Sequence, residues 1–126
     1  MERNNVVGWF EIPVTDMNRA KKFYEEVFDI SISLHDLGEF KMGWFPMHPD
    51  KIGATGSLVQ HDSYIPSATH GVVIYFSCLD VANELGRVEA AGGTIMQGKT
   101  QIGDGHGFMA LMKDSEGNRI ALHSNQ

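Results

Sequence analysis

Trp9-Phe10-Glu11-Ile12-Pro13-Val14-Thr15-Asp16-Met17-Asn18-Arg19-Ala20-Lys21-Lys22-Phe23-Tyr24 changes its hydrophobic period in mid-course. Val6–Val14 is mostly apolar and β-prone, with Trp9, Phe10, Ile12 and Val14. Past Thr15-Asp16 the apolar residues Met17, Ala20, Phe23, Tyr24 and Val27 recur at helical spacing, while Arg19, Lys21, Lys22, Glu25 and Glu26 fill the opposite face. A short oxygen-bearing side chain at Thr15 or Asp16 can accept from the free N–H groups of a first helical turn. The stretch therefore reads as a strand running directly into a capped helix.

Working outward, Ile30–Leu34 and Glu39–Met47 read as a hairpin around Asp36-Leu37-Gly38, and Thr55–Gln60 as a fourth strand. Residues 61–70 read as a connector. The pattern then restarts. Gly71–Cys78 is an apolar strand, Asp80 stands at a second capping position, and Val81, Leu85 and Val88 share one helix face. Gly92-Gly93 ends that helix. Thr94–Lys99, Phe108–Lys113 and Arg119–Ser124 follow as strands separated by Asp104-Gly105-His106-Gly107 and Ser115-Glu116-Gly117-Asn118. Asp16 and Asp80 stand 64 residues apart, and at that offset Val14 matches Cys78 and Glu25 matches Glu89. Identity is low, so the repeat is one of pattern. The chain reads as α+β, two tandem βαβββ modules of about residues 5–62 and 70–125 within a single domain spanning 1–126.

Composition limits what such a chain can do. Its 126 residues suffice for one ordinary core without a disulfide or structural metal. Ten Lys and Arg against sixteen Asp and Glu give a net charge of −6, which argues against nucleic-acid or anionic-membrane partners. No apolar run reaches the roughly 20 residues of a membrane span, and the opening Met-Glu-Arg-Asn-Asn has no signal-peptide character. The single cysteine, Cys78, excludes an intramolecular disulfide and fits the reducing cytoplasm.

The chain resembles the vicinal oxygen chelate superfamily, the glyoxalase, bleomycin-resistance and extradiol dioxygenase group. Three stretches carry the resemblance: Trp9–Asp16 leading into Arg19–Tyr24, with Val27-Phe28; Val88-Glu89-Ala90-Ala91-Gly92-Gly93; and Asp114-Ser115-Glu116-Gly117-Asn118-Arg119-Ile120. The resemblance implies that the modules form an open, curved mixed β-barrel with the helices outside and a ligand site in the concavity. It also implies a homodimer. Isomerases, dioxygenases, thiol transferases and drug-binding proteins share this scaffold, so fold alone does not select a chemistry.

In metal-dependent relatives a divalent ion is held by His, Gln, Glu or Tyr side chains from the first and last strand of each module. The resemblance places those positions here at Trp9, Val73, Ala121 and within Ser57–Gln60. Trp, Val and Ala side chains cannot ligate such an ion. No metal cofactor is therefore expected at the usual site. A site shifted along the strands would use Glu11, Tyr75 and His123, each about 7 Å from the usual position, with His61 just past the fourth strand.

Glu11, flanked by Phe10 and Ile12, is the candidate general base. Its bland alternative is a cavity-lining carboxylate satisfied by a Tyr, Arg or backbone donor. Trp9, Glu11, Phe45, Tyr64, Tyr75, Phe108 and His123 are the expected ligand-pocket residues, with Trp44 adding aromatic mass. Lys99 and Arg119 could meet an anion, and His106 sits on a glycine-rich hairpin tip that could act as a lid. Nucleophile elbows, Cys-x-x-Cys pairs and Walker loops are absent. Three functions fit: a bleomycin-resistance-like binder of a small, partly apolar molecule; a metal-independent or shifted-metal glyoxalase-type lyase or isomerase working through Glu11; and an interaction domain with a filled pocket.

Overall fold

The computed structural model describes residues 5–126. The strand-to-helix switch falls where the period changes: β1 is Trp9–Pro13 and α1 is Met17–Phe28. Asp16 is extended and its carboxylate accepts from the Arg19 N–H at 3.1 Å, closing the first turn. The remaining elements of this module are β2 (Ser33–Asp36), β3 (Lys41–Trp44) and β4 (Thr55–Gln60). Gly38, at φ +88°, makes the tight turn between β2 and β3, where the Asp36 carboxylate receives its N–H.

The second module repeats the order. It comprises β5 (Tyr75–Ser77), α2 (Val81–Val88, capped by Asp80), β6 (Thr94–Gln101), β7 (Phe108–Lys113) and β8 (Arg119–Ser124). β5 is shorter than the apolar run Gly71–Cys78. It is an edge strand paired only with β8, and Gly71 at φ +94° turns the chain before it.

Each module builds one four-stranded mixed sheet, ordered β1-β4-β3-β2 and β5-β8-β7-β6. The first and last strand of each module run parallel, the other pairs antiparallel. Among the described residues no strand of one sheet pairs with a strand of the other, so the assembly is the open, curved α+β arrangement expected, with a helix on one face of each sheet.

Alternation along the strands fixes which residues meet the helices. Phe10, Ile12, Leu58 and Phe45 in the first module, and Phe76, Ala110, Met112, Ile120 and Leu122 in the second, face inward onto α1 and α2. These inner faces join in one core: the Phe76 ring lies 4.6 Å from Phe28, 5.6 Å from Phe10 and 5.7 Å from Phe45. The opposite face of each sheet is left open.

The β7–β8 turn ties the modules a second time. Tyr24 Oη donates to Asp114 at 2.6 Å, Asn118 Nδ2 donates to the Pro13 carbonyl at 2.7 Å, and Arg19 Nε meets Glu116 at 2.6 Å. The Glu116 carboxylate also accepts the N–H groups of Thr15 and Asp16. Burial opposes its charge, but these donors outweigh that cost and hold it down to about 2.

Candidate functional site

The pairing register shows what the open face of the first sheet carries. Glu11 pairs with Ser57, Ser57 with Trp44, and Trp44 with Ser33, so these four make one row across β1, β4, β3 and β2. The next row is Pro13, Val59, Met42 and His35. Trp9 stands opposite Thr55 at the other end. Ser57, at the centre of the row, is wholly buried and gives its hydroxyl to the Leu58 carbonyl at 2.7 Å.

Aromatic side chains flank that row. The Trp9 and Trp44 rings lie 6.3 Å apart at 88°, and His35 stacks on Trp44 at 3.7 Å. Trp44 Nε1 is buried without a hydrogen-bond partner among the described residues. Trp9 remains 39% exposed, and Glu11 is exposed as well. The Glu11 carboxylate accepts from Tyr64 Oη at 2.7 Å. That bond, with burial adding to it, raises the Tyr64 phenol above its ordinary value.

Tyr64 belongs to the connector and also lines a cavity of about 590 Å³ at the C-terminal ends of β1 and β4, with Val14, Thr15, Lys41, Gln60 and His61. A second cavity of about 450 Å³ shares Thr15, Lys41 and Gln60 and runs past Asp16 to His35. His61 stacks on Phe40 at 4.1 Å beside the first cavity. None of the residues lining these two cavities belongs to the second sheet.

The open face of the second sheet carries Tyr75, Ala121, His123 and Arg119. Tyr75 is 55% exposed and pairs with Ala121; His123 Nε2 contacts the His106 carbonyl oxygen at 2.8 Å. Trp9, Glu11 and Tyr64 are thus brought together, and Tyr75 and His123 are near each other on the other sheet. Among the described residues, no hydrogen bond or ring contact joins the two groups. Phe45 is buried between Phe10 and Tyr24, and Phe108 faces the core with Lys99 4.6 Å above its ring. These two point away from the open faces, because each stands one residue out of register with its open-face neighbours Trp44 and Met109.

Lys99 is also spent on Asp80, at 3.0 Å. Burial pushes the Cys78 thiol up to about 12, with Glu84 adding to it, so it is no thiolate nucleophile at neutral pH. His35 and Phe40 escaped the sequence reading. The Ser33-x-His35 alternation in β2 is the signal that could have found His35.

A model of the glyoxalase/bleomycin resistance protein/dioxygenase superfamily matches residues 6–122. The chain belongs to this superfamily. Among solved structures, the fold is shared with the antibiotic-binding protein TnmS3 from Streptomyces sp. CB03234, at 21% identity and a TM-score of 0.72 over 100% of both chains. It is shared with the fosfomycin resistance protein FosX from Listeria monocytogenes, at 16% identity and a TM-score of 0.68 over 99% of this chain and 94% of that one. Glyoxalase I from Zea mays matches at 17% identity and a TM-score of 0.69, over 93% of this chain and 45% of the maize chain. No curated protein matches by sequence.

Three of the positions that the resemblance assigns to metal ligands carry side chains without a ligand atom. Trp9 and Ala121 sit on the open faces, paired with Thr55 and Tyr75, and neither they nor Val73 offers a ligand atom in its side chain. Among the described residues, no three His, Cys, Asp or Glu side chains gather.

Proposed function

We propose that this member of the glyoxalase/bleomycin resistance protein/dioxygenase superfamily binds a small, partly apolar molecule on the open face of its first sheet, without the usual metal site. One observation carries the reading: two indoles, a phenol and a carboxylate stand together on one face of the first sheet. Apolar walls with a few placed polar groups are what small-molecule sites are made of. The superfamily's drug-resistance and antibiotic-binding members make binding a natural use of the scaffold.

The test is a ligand screen that follows thermal stability and tryptophan fluorescence, with elemental analysis of untreated protein beside it. Saturable ligands and no stoichiometric Zn, Ni, Mn or Fe are expected. A stoichiometric metal would overturn the metal-free assignment, and a screen without any saturable ligand would overturn binding.

A second reading makes Glu11 the general base of a glyoxalase-type lyase or isomerase. The hydrogen bond from Tyr64 favours it, because it holds the carboxylate in one orientation over the face. Turnover lost in Glu11→Gln with ligand affinity retained is the result expected of that reading.

We further propose a homodimer in the cytoplasm. Tyr75 and Leu79 (55% and 83% exposed) are apolar side chains of the second module that a second copy would cover. Sedimentation at micromolar concentration is expected to give twice the mass of one chain, and a single-chain mass would exclude the dimer.

A further inference from the structure

We infer that the corner between Trp9 and Trp44, beside Glu11, takes an organic cation: a positively charged nitrogen carried on an apolar frame. The inference rests on the small-molecule binding proposed above and names the chemistry of the occupant.

The walls are aromatic and set at a right angle, with ring planes meeting at 88°. His35 covers one face of Trp44 from the β2 side, and Trp9, 39% exposed, stands edge to face with that indole. The π-face of an indole is electron-rich, and it attracts a cation more strongly than any other side-chain ring. A carboxylate closes the row. Glu11 stands across Ser57 from Trp44, two strand spacings or about 10 Å away along the sheet.

That carboxylate is not neutralised. Tyr64 occupies Oε1, a neutral donor, and Oε2 has no hydrogen bond among the described residues. No Lys, Arg or His nitrogen among the described residues lies within 4.0 Å of it, although Glu116, Glu25, Asp80, Glu84 and Glu39 each have such a partner. Pro13 and Met42 in the adjoining row, each half-buried, add apolar surface beside it. An anion would meet an electron-rich ring and a carboxylate there, and a neutral molecule would gain apolar contact alone.

Both tryptophans of the chain form the corner, so intrinsic fluorescence reports on it directly. The probes are benzyltrimethylammonium and neopentylbenzene, which differ in a charged nitrogen against a carbon of the same shape. Saturable quenching by the cation is expected, at a Kd about tenfold or more below that of the neutral compound. Glu11→Gln is expected to weaken the cation by about tenfold and leave the neutral compound unchanged. Trp44→Leu is checked for folding by circular dichroism, and Tyr64→Phe serves as the control that keeps the carboxylate. Equal affinity for both compounds, or a cation affinity indifferent to Glu11→Gln, would overturn the cation assignment and leave small-molecule binding standing. No quenching by either compound, with library ligands still found, would likewise overturn it; failure of every ligand would remove both readings.

Discussion

Tyr24 is wholly buried, and its phenol has one partner, the Asp114 carboxylate at 2.6 Å. Burial, and the negative charge beside it, raise the phenol well above its ordinary value, which favours the neutral donor form. Tyr24→Phe leaves that Asp114 oxygen only its bond from Asn118 and is expected to cost about 1–3 kcal/mol in urea unfolding. Glu116 behaves differently because it is ionised. Its carboxyl sits at about 2 in the folded chain against 4.5 unfolded, so its contribution is complete above pH 4.5 and is lost as pH falls toward 2. Melting curves from pH 6 to 2.5 are expected to fall less steeply for Glu116→Gln than for the parent. Residue-scale reading from sequence was uneven for a physical reason. Glu11 and Trp9 were legible because strand alternation places them on one face. Phe45 and Phe108 were not, since a one-residue difference in register decides between core and open face. The Tyr64–Glu11 bond joins residues 53 apart through a connector without periodicity, and no local pattern encodes it.

At the scale of elements, the sequence was more informative. Asp16 and Asp80 cap the two helices as the 64-residue repeat implied, each accepting a first-turn N–H. Removing either side chain, Asp16→Ala or Asp80→Ala, is expected to cost about 1 kcal/mol. Asp80 also loses Lys99 in that change. The other end of α1 holds a conflict that composition does not reveal. Asp29 closes the helix in the left-handed region at φ 53°, where glycine carries no Cβ penalty. Asp29→Gly is expected to raise the melting temperature by a degree or more, measured calorimetrically. Gly107 offers the reverse case: at φ +79° its added Cβ would collide with the Ser124 carbonyl, so Gly107→Ala is expected to displace the β6–β7 hairpin from β8. Strand limits were less legible. β2 begins three residues later than the apolar run that announced it, because Ile30 and Ile32 pack beneath α1 before pairing starts.

The whole molecule depends on a junction that belongs to neither module. Phe76 comes from the second, and the rings around it, Phe10, Tyr24, Phe28 and Phe45, come from the first. Phe76→Ala is expected to cost about 3–5 kcal/mol. Because the core is shared, the two modules are expected to melt in one calorimetric transition, with equal van't Hoff and calorimetric enthalpies. The tandem architecture was legible from the repeat, but this junction was not, since helical and strand periods say only that a face is apolar and not what it meets. The connector that crosses the junction is exposed at His70, Gly71 and Val72. Covalent continuity there contributes little beyond raising the concentration of one half around the other. A protein cut after Gly71 should therefore persist as a non-covalent pair of half-length chains, which makes the seam between the modules a natural place to split the molecule into a reassembling reporter.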